Sequence, residues 1–138
     1  MKNLLDTCVI AEYEKPAPEA KVIDWLAGQI EESLFLSVLT IGEIEKGIAR
    51  LPASKRKKNL ETFLENLVTR FDRRIIHLDT QILRRWGRLV GSLEKKRRVL
   101  PIIDSFLAAT ALEYDLTIIT RNTADFAATG ARLSNIWD

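Results

Sequence analysis

Residues 3–12 read NLLDTCVIAE, a stretch in which one acidic residue lies between two apolar runs. Residues 3–5 have the character of a short buried strand, and the apolar residues 8–11 follow almost at once. Asp6 stands between them. A carboxylate flanked by residues that favour burial costs free energy unless it faces a wet cleft, caps a helix or binds a cation. The end of the first predicted strand is therefore the first candidate for a site.

The composition indicates one domain, spanning residues 1–138, with a hydrophobic content of 46%. The net charge of +2 neither requires nor excludes a nucleic-acid partner. Cys8 is the single cysteine, so an internal disulfide is excluded and a reducing compartment is favoured. The N-terminus lacks the features of a signal peptide, and no apolar run is long enough for a membrane span. We therefore expect a cytoplasmic protein.

Short apolar strands alternate with amphipathic helices along the whole chain. Continuous apolar strands of this kind are typical of a parallel sheet covered by helices on both faces. The sequence thus predicts an α/β fold, a three-layer α/β/α domain with a short, mostly parallel central sheet. The predicted strands cover residues 3–5, 34–38, 75–78, 117–119 and 132–135, and the predicted helices cover residues 21–30, 40–50, 53–71, 79–96 and 102–114.

Acidic and amide side chains follow or precede several of these strands. Asp6 follows the first strand and Glu43 the second, whereas Asp104 opens the helix before the fourth strand. Asn122 and Asp125 come directly after the fourth strand. Ligands of parallel sheets bind beyond the carboxyl ends of the strands. If the first, second and fourth strands are neighbours, these side chains converge on one cleft.

A cluster of carboxylates needs a compensating charge. Two unit charges at roughly 4 Å repel by about 4 kcal/mol at an effective dielectric constant near 20. A divalent cation offsets this repulsion, and oxygen ligands without a histidine or cysteine favour Mg²⁺ or Mn²⁺. Because these metals activate water next to phosphate groups, the pattern favours hydrolysis of a phosphodiester.

Most of the same residues also fit purely structural roles. Thr40 and Glu43 have the spacing of a capping box, in which Glu43 would close the first turn of its helix. Asp104 would be favoured near a helix N-terminus by the helix dipole. Asp125 would cap the segment that follows it, and Asn122 would be a turn residue.

For Asp6 the sequence offers no comparable structural explanation. Independent capping also does not explain why acids follow the first and second strands and surround the fourth at one edge of a sheet. We therefore predict a shared site at that edge.

Four stretches, LLDTCVIAE, SVLTIGEIEKGI, DSFLAATAL and TIITRNTADF, occur in this order. Together they resemble the four signature blocks of PIN-domain ribonucleases, and the resemblance covers the whole chain. The toxins of VapBC and FitAB type II toxin–antitoxin pairs are similar in length and in the E-x-x-x-G-I block, here Glu43, Gly47 and Ile48. The resemblance implies an endoribonuclease that uses Mg²⁺ or Mn²⁺, cuts RNA, forms a homodimer and is held by a small antitoxin protein.

The resemblance also assigns roles to individual residues. The first, second and third acids of the family fall on Asp6, Glu43 and Asp104, which implies a shared metal site with catalytic acids. Many relatives carry an aspartate where this chain has Asn122, and others rely on the position of Asp125, so either residue would complete the site. Hydroxyl residues that flank the site and a phosphate contact are implied at Thr7, Thr120 and Arg121.

Other classes that use acids at strand ends fit less well. A haloacid-dehalogenase phosphatase needs an aspartate two positions after the first, where this chain has Cys8. A receiver domain needs an acidic pair after the first strand and an aspartate at the end of the third, where this chain has His77 and Leu78. The open alternatives are a PIN nuclease that processes RNA without being a toxin and a degenerate PIN domain that only binds. Nothing in the sequence selects among transfer, ribosomal and messenger RNA.

Overall fold

A computed structural model describes residues 1–138, in which short strands alternate with helices. The strands are β1 (Asn3–Leu5), β2 (Leu34–Ser37), β3 (Ile75–Ile76), β4 (Thr117–Ile119) and β5 (Arg132–Ser134). The helices are α1 (Thr7–Glu12), α2 (Ala20–Ala27), α3 (Val38–Ala49), α4 (Lys55–Arg70), α5 (Thr80–Lys95), α6 (Ile102–Tyr114) and α7 (Thr123–Phe126). No helix is both long enough and apolar enough to cross a membrane.

The five strands form one sheet in the order β3-β2-β1-β4-β5, and every neighbouring pair is parallel. The central strand β1 pairs with β2 on one side and with β4 on the other, so that Leu4 lies opposite Phe35 and Ile118. All five strands therefore end at the same edge of the sheet. The predicted α/β fold with a parallel sheet is confirmed.

Helices cover both faces of the sheet because side chains alternate along each strand. Leu5 belongs to a core formed with α1 to α4, and the adjacent Leu4 belongs to a second core formed mainly with α6. Both leucines are fully buried. The first core includes Val9, Ile10, Val22, Leu26, Ile48, Leu64 and Leu67, and the second includes Leu107, Ala108, Ala111 and Phe126.

Helix α1 begins directly after β1 and was not predicted from the sequence. Asp6 is its N-cap, and Oδ1 of Asp6 accepts a hydrogen bond from the main-chain N–H of Thr7 at 2.8 Å. The expectation that Asp6 lacks a structural explanation was therefore wrong. A single turn and a half of helix is too short for a hydrophobic period to reveal it.

The predicted capping box was also wrong. Helix α3 begins at Val38, and its N-cap is Ser37, whose Oγ accepts from the N–H of Leu39 at 3.0 Å. Thr40 and Glu43 consequently lie inside the helix, where neither side chain can cap it. The chain turns into the helix at the last residue of β2, earlier than the Thr40–Glu43 spacing suggested. Glu43 is thus available for another role.

Glu12, at the end of α1, is a buried carboxylate that the sequence did not single out. Its Oε2 accepts from Nζ of Lys15 at 2.6 Å and from Nε1 of Trp137 at 3.2 Å, and its Oε1 accepts from the N–H of Glu19 at 2.9 Å. The Glu19 N–H, followed by the Lys15 ammonium, lowers the pKa of Glu12 to about 2. Glu12 therefore stays ionised and ties α1 to the C-terminal residues.

Candidate active site at the carboxyl edge of the sheet

Asp6 is held in place where β1 and β4 end. Its main-chain N–H donates to the carbonyl of Ile119 at 3.0 Å, which extends the pairing of the two strands by one hydrogen bond. Oδ2 of its side chain accepts from the Thr120 hydroxyl at 2.8 Å, in addition to the capping bond from Thr7. Asp6 is only 7% exposed. Both carboxylate oxygens are thus oriented by donors from adjacent elements.

Thr7 connects Asp6 to Glu43. The Thr7 hydroxyl donates to Oε1 of Glu43 at 2.7 Å, while the Thr7 N–H donates to Asp6. Glu43 lies in the middle of α3 and is half-buried. Because β1 and β2 are neighbours, the helices that follow them start side by side at the same edge. One threonine therefore fixes two of the predicted acids.

Asp104 lies in the first turn of α6 and is half-buried. Burial, followed by the charges of Asp6, Asp125 and Glu43 in that order, raises the pKa of its carboxyl to about 6. Three acids from separate elements therefore act on this one carboxyl. The structure thus brings the other three predicted carboxylates within electrostatic reach of Asp104.

The four carboxylates are not gathered into a closed cluster of metal ligands. No three Asp, Glu, His or Cys side chains in the chain are drawn together at the spacing of a formed metal site. Like charges repel, so such groups approach closely only when a cation or a proton offsets the repulsion. The donors are all oxygens, with neither histidine nor a thiolate among them, and this set suits a hard cation such as Mg²⁺ or Mn²⁺.

Asn122 directly precedes the short helix α7, and Asp125 lies within it. Asn122 is exposed, and its main-chain N–H donates to the Thr120 hydroxyl at 3.0 Å, whereas its side chain makes no hydrogen bond. Asp125 lies in the first turn of α7. The sequence had suggested that it caps the segment after it, but the N-cap of that segment is Phe126. Of the two residues, Asp125 is the one whose charge acts on Asp104.

Cys8 is a neighbour of the site that the sequence did not reveal. Its Sγ lies 3.9 Å from Oδ2 of Asp6 and 3.8 Å from Oγ1 of Thr120. Burial, more than the charge of Asp6, raises the pKa of the Cys8 thiol. Cys8 therefore packs as a neutral side chain of α1 against the end of β4.

The raised pKa of Asp104 generates a stability prediction. A carboxyl with a raised pKa favours folding while it is protonated, so this stabilisation is present below its ordinary pKa of 3.8 and is lost as pH rises through about 6. Without metal, Asp104→Asn should therefore raise the free energy of unfolding above pH 6 by about 1 kcal/mol, after allowance for solvent screening.

Urea unfolding in EDTA between pH 4 and 8 measures this difference. The gain should be near zero at pH 4 and complete by pH 7.5. Asp24→Asn, at an exposed position of α2, is the matched control and should show no such trend. A gain in the free energy of unfolding that stays constant between pH 4 and 8 would contradict the raised pKa of Asp104.

Comparison with known proteins gives relatives over nearly the full length. The profile of the PIN domain family matches residues 4–131. The plasmid stability protein StbB of Pseudomonas syringae pv. tomato is 35% identical over 136 residues, which cover 98% of each chain. The toxin FitB of Neisseria gonorrhoeae is 33% identical and covers 97% of each chain. The VapC ribonuclease Y4jK of Sinorhizobium fredii is 32% identical over 98% of this chain and 97% of its own.

Solved structures give the same result. The structure of FitAB bound to an IR36 DNA fragment superposes with a TM-score of 0.92 at 31% identity, over 99% of this chain and 96% of that one. The structure of FitAcB from Neisseria gonorrhoeae gives a TM-score of 0.91 at 32% identity, over 98% of both chains. The resemblance stated from the four sequence blocks is thereby confirmed, and the chain belongs to the PIN domain family.

Proposed function

We propose that the chain is an endoribonuclease that hydrolyses RNA phosphodiester bonds with Mg²⁺ or Mn²⁺ and that it is the toxin of a type II toxin–antitoxin pair. The observation that carries this proposal is the group of acids around Asp104 at the carboxyl edge of the sheet, where burial and then the charges of the other acids raise the pKa of Asp104 to about 6. The similarity to a VapC ribonuclease and to the toxin FitB supports the same chemistry.

In this proposal Asp6, Glu43 and Asp104 hold the cation through their carboxylate oxygens. A bound Mg²⁺ or Mn²⁺ would supply a water of lowered pKa and would offset charge on the phosphate. Asp125 adds a fourth catalytic carboxylate, and Asn122 offers a neutral amide oxygen as a further ligand. The neutral ligand adds no charge, so the cation would be held mainly by the three buried or half-buried acids.

The two threonines orient these acids and do not take part in bond breaking. The Thr120 hydroxyl holds one oxygen of Asp6, and the Thr7 hydroxyl holds one oxygen of Glu43. Each carboxylate keeps lone pairs that remain available to a cation. Arg121, the residue after Thr120, would supply a positive charge to a substrate phosphate.

Replacing Asp6 tests the nuclease activity. In Asp6→Asn the amide oxygen can still accept from Thr7 or Thr120, so we expect the fold to remain. Loss of one ligand charge should lower RNA cleavage in Mn²⁺ by at least about 100-fold. The measurement is the cleavage rate of purified protein, with urea unfolding as the check on folding and Asp24→Asn as the matched control. Wild-type cleavage by Asp6→Asn would refute the metal assignment.

The proposed protein partner is a small antitoxin. Support comes from the solved structures of FitAB and FitAcB, which superpose over nearly the whole chain. A group of carboxylates whose charges oppose one another also favours any cation, including an arginine or lysine side chain of a partner. An antitoxin of this kind would neutralise the site by occupying it.

Competition with Mg²⁺ tests this mode of inhibition. If a basic antitoxin side chain pairs with Asp6, Glu43 and Asp104, the apparent inhibition constant should rise as Mg²⁺ increases through the millimolar range. The measurement is a titration of RNA cleavage against antitoxin at several Mg²⁺ concentrations. Ionic strength is held constant, because screening would otherwise imitate competition. An inhibition constant that stays flat would leave steric occlusion as the mechanism.

We also propose a homodimer. The helices α4 and α5 are each 16 residues long and carry exposed apolar side chains, including Val68 and Leu83. Sedimentation at micromolar concentration should give a species of twice the 15.7 kDa mass of one chain. A single 15.7 kDa species would contradict the homodimer.

The cytoplasmic location stays a prediction.

The alternatives differ in measurable ways. A degenerate PIN domain that only binds would show no cleavage that depends on Asp6. A nuclease that processes RNA without being a toxin would cleave in the same way but would lack a cognate antitoxin. Retention of the acids that act on Asp104 favours the enzyme over the binding module.

A further inference from the structure

Arg121 is an exposed arginine next in sequence to a threonine of the site. It follows Thr120, the residue whose hydroxyl holds Asp6. Its guanidinium carbon lies 4.8 Å from the centre of the Trp137 ring, and it takes part in no ion pair with any carboxylate of the chain. The positive charge of Arg121 is therefore stacked on an aromatic face and not neutralised.

Trp137 is held in position from two sides. Its indole Nε1 donates to Oε2 of Glu12 at 3.2 Å, and its main-chain N–H donates to the side-chain oxygen of Asn135 at 2.9 Å. Glu12 is 1% exposed and is itself held by Lys15 and by the N–H of Glu19. A buried, fully hydrogen-bonded carboxylate thus fixes the orientation of the indole.

Helix α1 connects this arrangement to the acids. Cys8 and Glu12 are four residues apart, so they lie on the same face of α1, one helical turn from each other. Cys8 contacts Thr120 and Asp6 at one end of this face, and Glu12 contacts Trp137 at the other. One turn of α1 therefore sets the separation between Asp6, a proposed metal ligand, and the Trp137 ring, here called the aromatic platform.

The platform has a physical consequence for Arg121. A long, exposed arginine side chain has many rotamers, and negative carboxylates nearby would attract it. Pairing with them would neutralise Arg121 and also occupy acids that the proposed metal needs. Stacking on the indole keeps the guanidinium ordered while its donor N–H groups stay free for an anion.

We propose that Trp137, held by Glu12, positions the Arg121 guanidinium to bind an RNA phosphate next to the bond that is cut. Arg121 touches the substrate, whereas Trp137 and Glu12 are positioning residues that act through it. This inference rests on the proposed nuclease function and adds two positioning residues, Trp137 and Glu12, to the phosphate contact proposed for Arg121.

A double-mutant cycle tests the inference. Arg121→Ala should raise KM for an RNA oligonucleotide about tenfold with little change in kcat, and should reduce the salt dependence of RNA binding by about one phosphate contact. Trp137→Leu should raise KM about threefold, and Trp137→Phe, which keeps an aromatic ring, should raise it less. In the Arg121→Ala background, Trp137→Leu should have no further effect, since the platform acts only through Arg121.

Two control variants distinguish positioning of the Arg121 guanidinium from a general effect of protein structure or net charge on KM. Arg88→Ala removes an exposed arginine of α5 that has no ion pair, and it should leave KM near the wild-type value. Arg121→Lys keeps the charge at an exposed position but lacks the planar group that stacks on the indole, so KM should still rise. This second variant decides the question even if Trp137→Leu does not fold, because wild-type KM in Arg121→Lys would overturn the inference.

Binding of the same RNA in EDTA, where metal-dependent cleavage does not occur, separates failure of the inference from failure of the proposed function. If wild type binds RNA but does not cut it in Mn²⁺, the nuclease proposal fails and the binding cycle still decides the role of Arg121. If wild type cuts RNA and Arg121→Ala retains wild-type KM, the inference fails alone. Additive effects of Trp137→Leu and Arg121→Ala would also overturn it, and a wild type that neither binds nor cuts would overturn both.

Discussion

The parallel pairing of β1 between β2 and β4 is the constraint on which the site depends. It places the ends of three strands at one edge, where the N–H of Asp6 continues the pairing to Ile119. The register is fixed because Leu4 and Leu5 fill cores on opposite faces. A slip of one residue would exchange these faces and turn the carboxylate of Asp6 away from Thr120. Burial of two leucines therefore determines where the acid points.

Hydrogen bonding is distributed unequally among the acids at this edge. Asp6 accepts from the N–H of Thr7 and the hydroxyl of Thr120, and Glu43 accepts from the hydroxyl of Thr7, whereas the Asp104 side chain has no such donor. A carboxylate that accepts hydrogen bonds is stabilised in its charged form. At Asp104, burial and then repulsion from Asp6, Asp125 and Glu43 raise the pKa to about 6, with no hydrogen bond to oppose them. A cation would reduce this strain most at α6.

The parallel sheet and the five long helices could be predicted because each has a pattern that repeats within a few residues. Helix α1 could not, since six residues contain too few periods and its N-cap, Asp6, was assigned to the site alone. The spacing of Thr40 and Glu43 matched a capping box, but a spacing does not report where the backbone turns, and Ser37 is the cap. The contact of Glu12 with Trp137 spans 125 positions and has no local signal.

Helix α1 depends on its surroundings because a helix of this length is not stable alone in water. Val9 and Ile10 anchor it in the core, while the hydrogen bonds of Glu12 attach its last turn to the C-terminal residues. Its first turn carries Thr7, which orients both Asp6 and Glu43. A displacement at the end of the chain would therefore tilt the helix and change the geometry of the acids. Helix α1 thus couples the position of the C-terminal residues to the geometry of the acidic site.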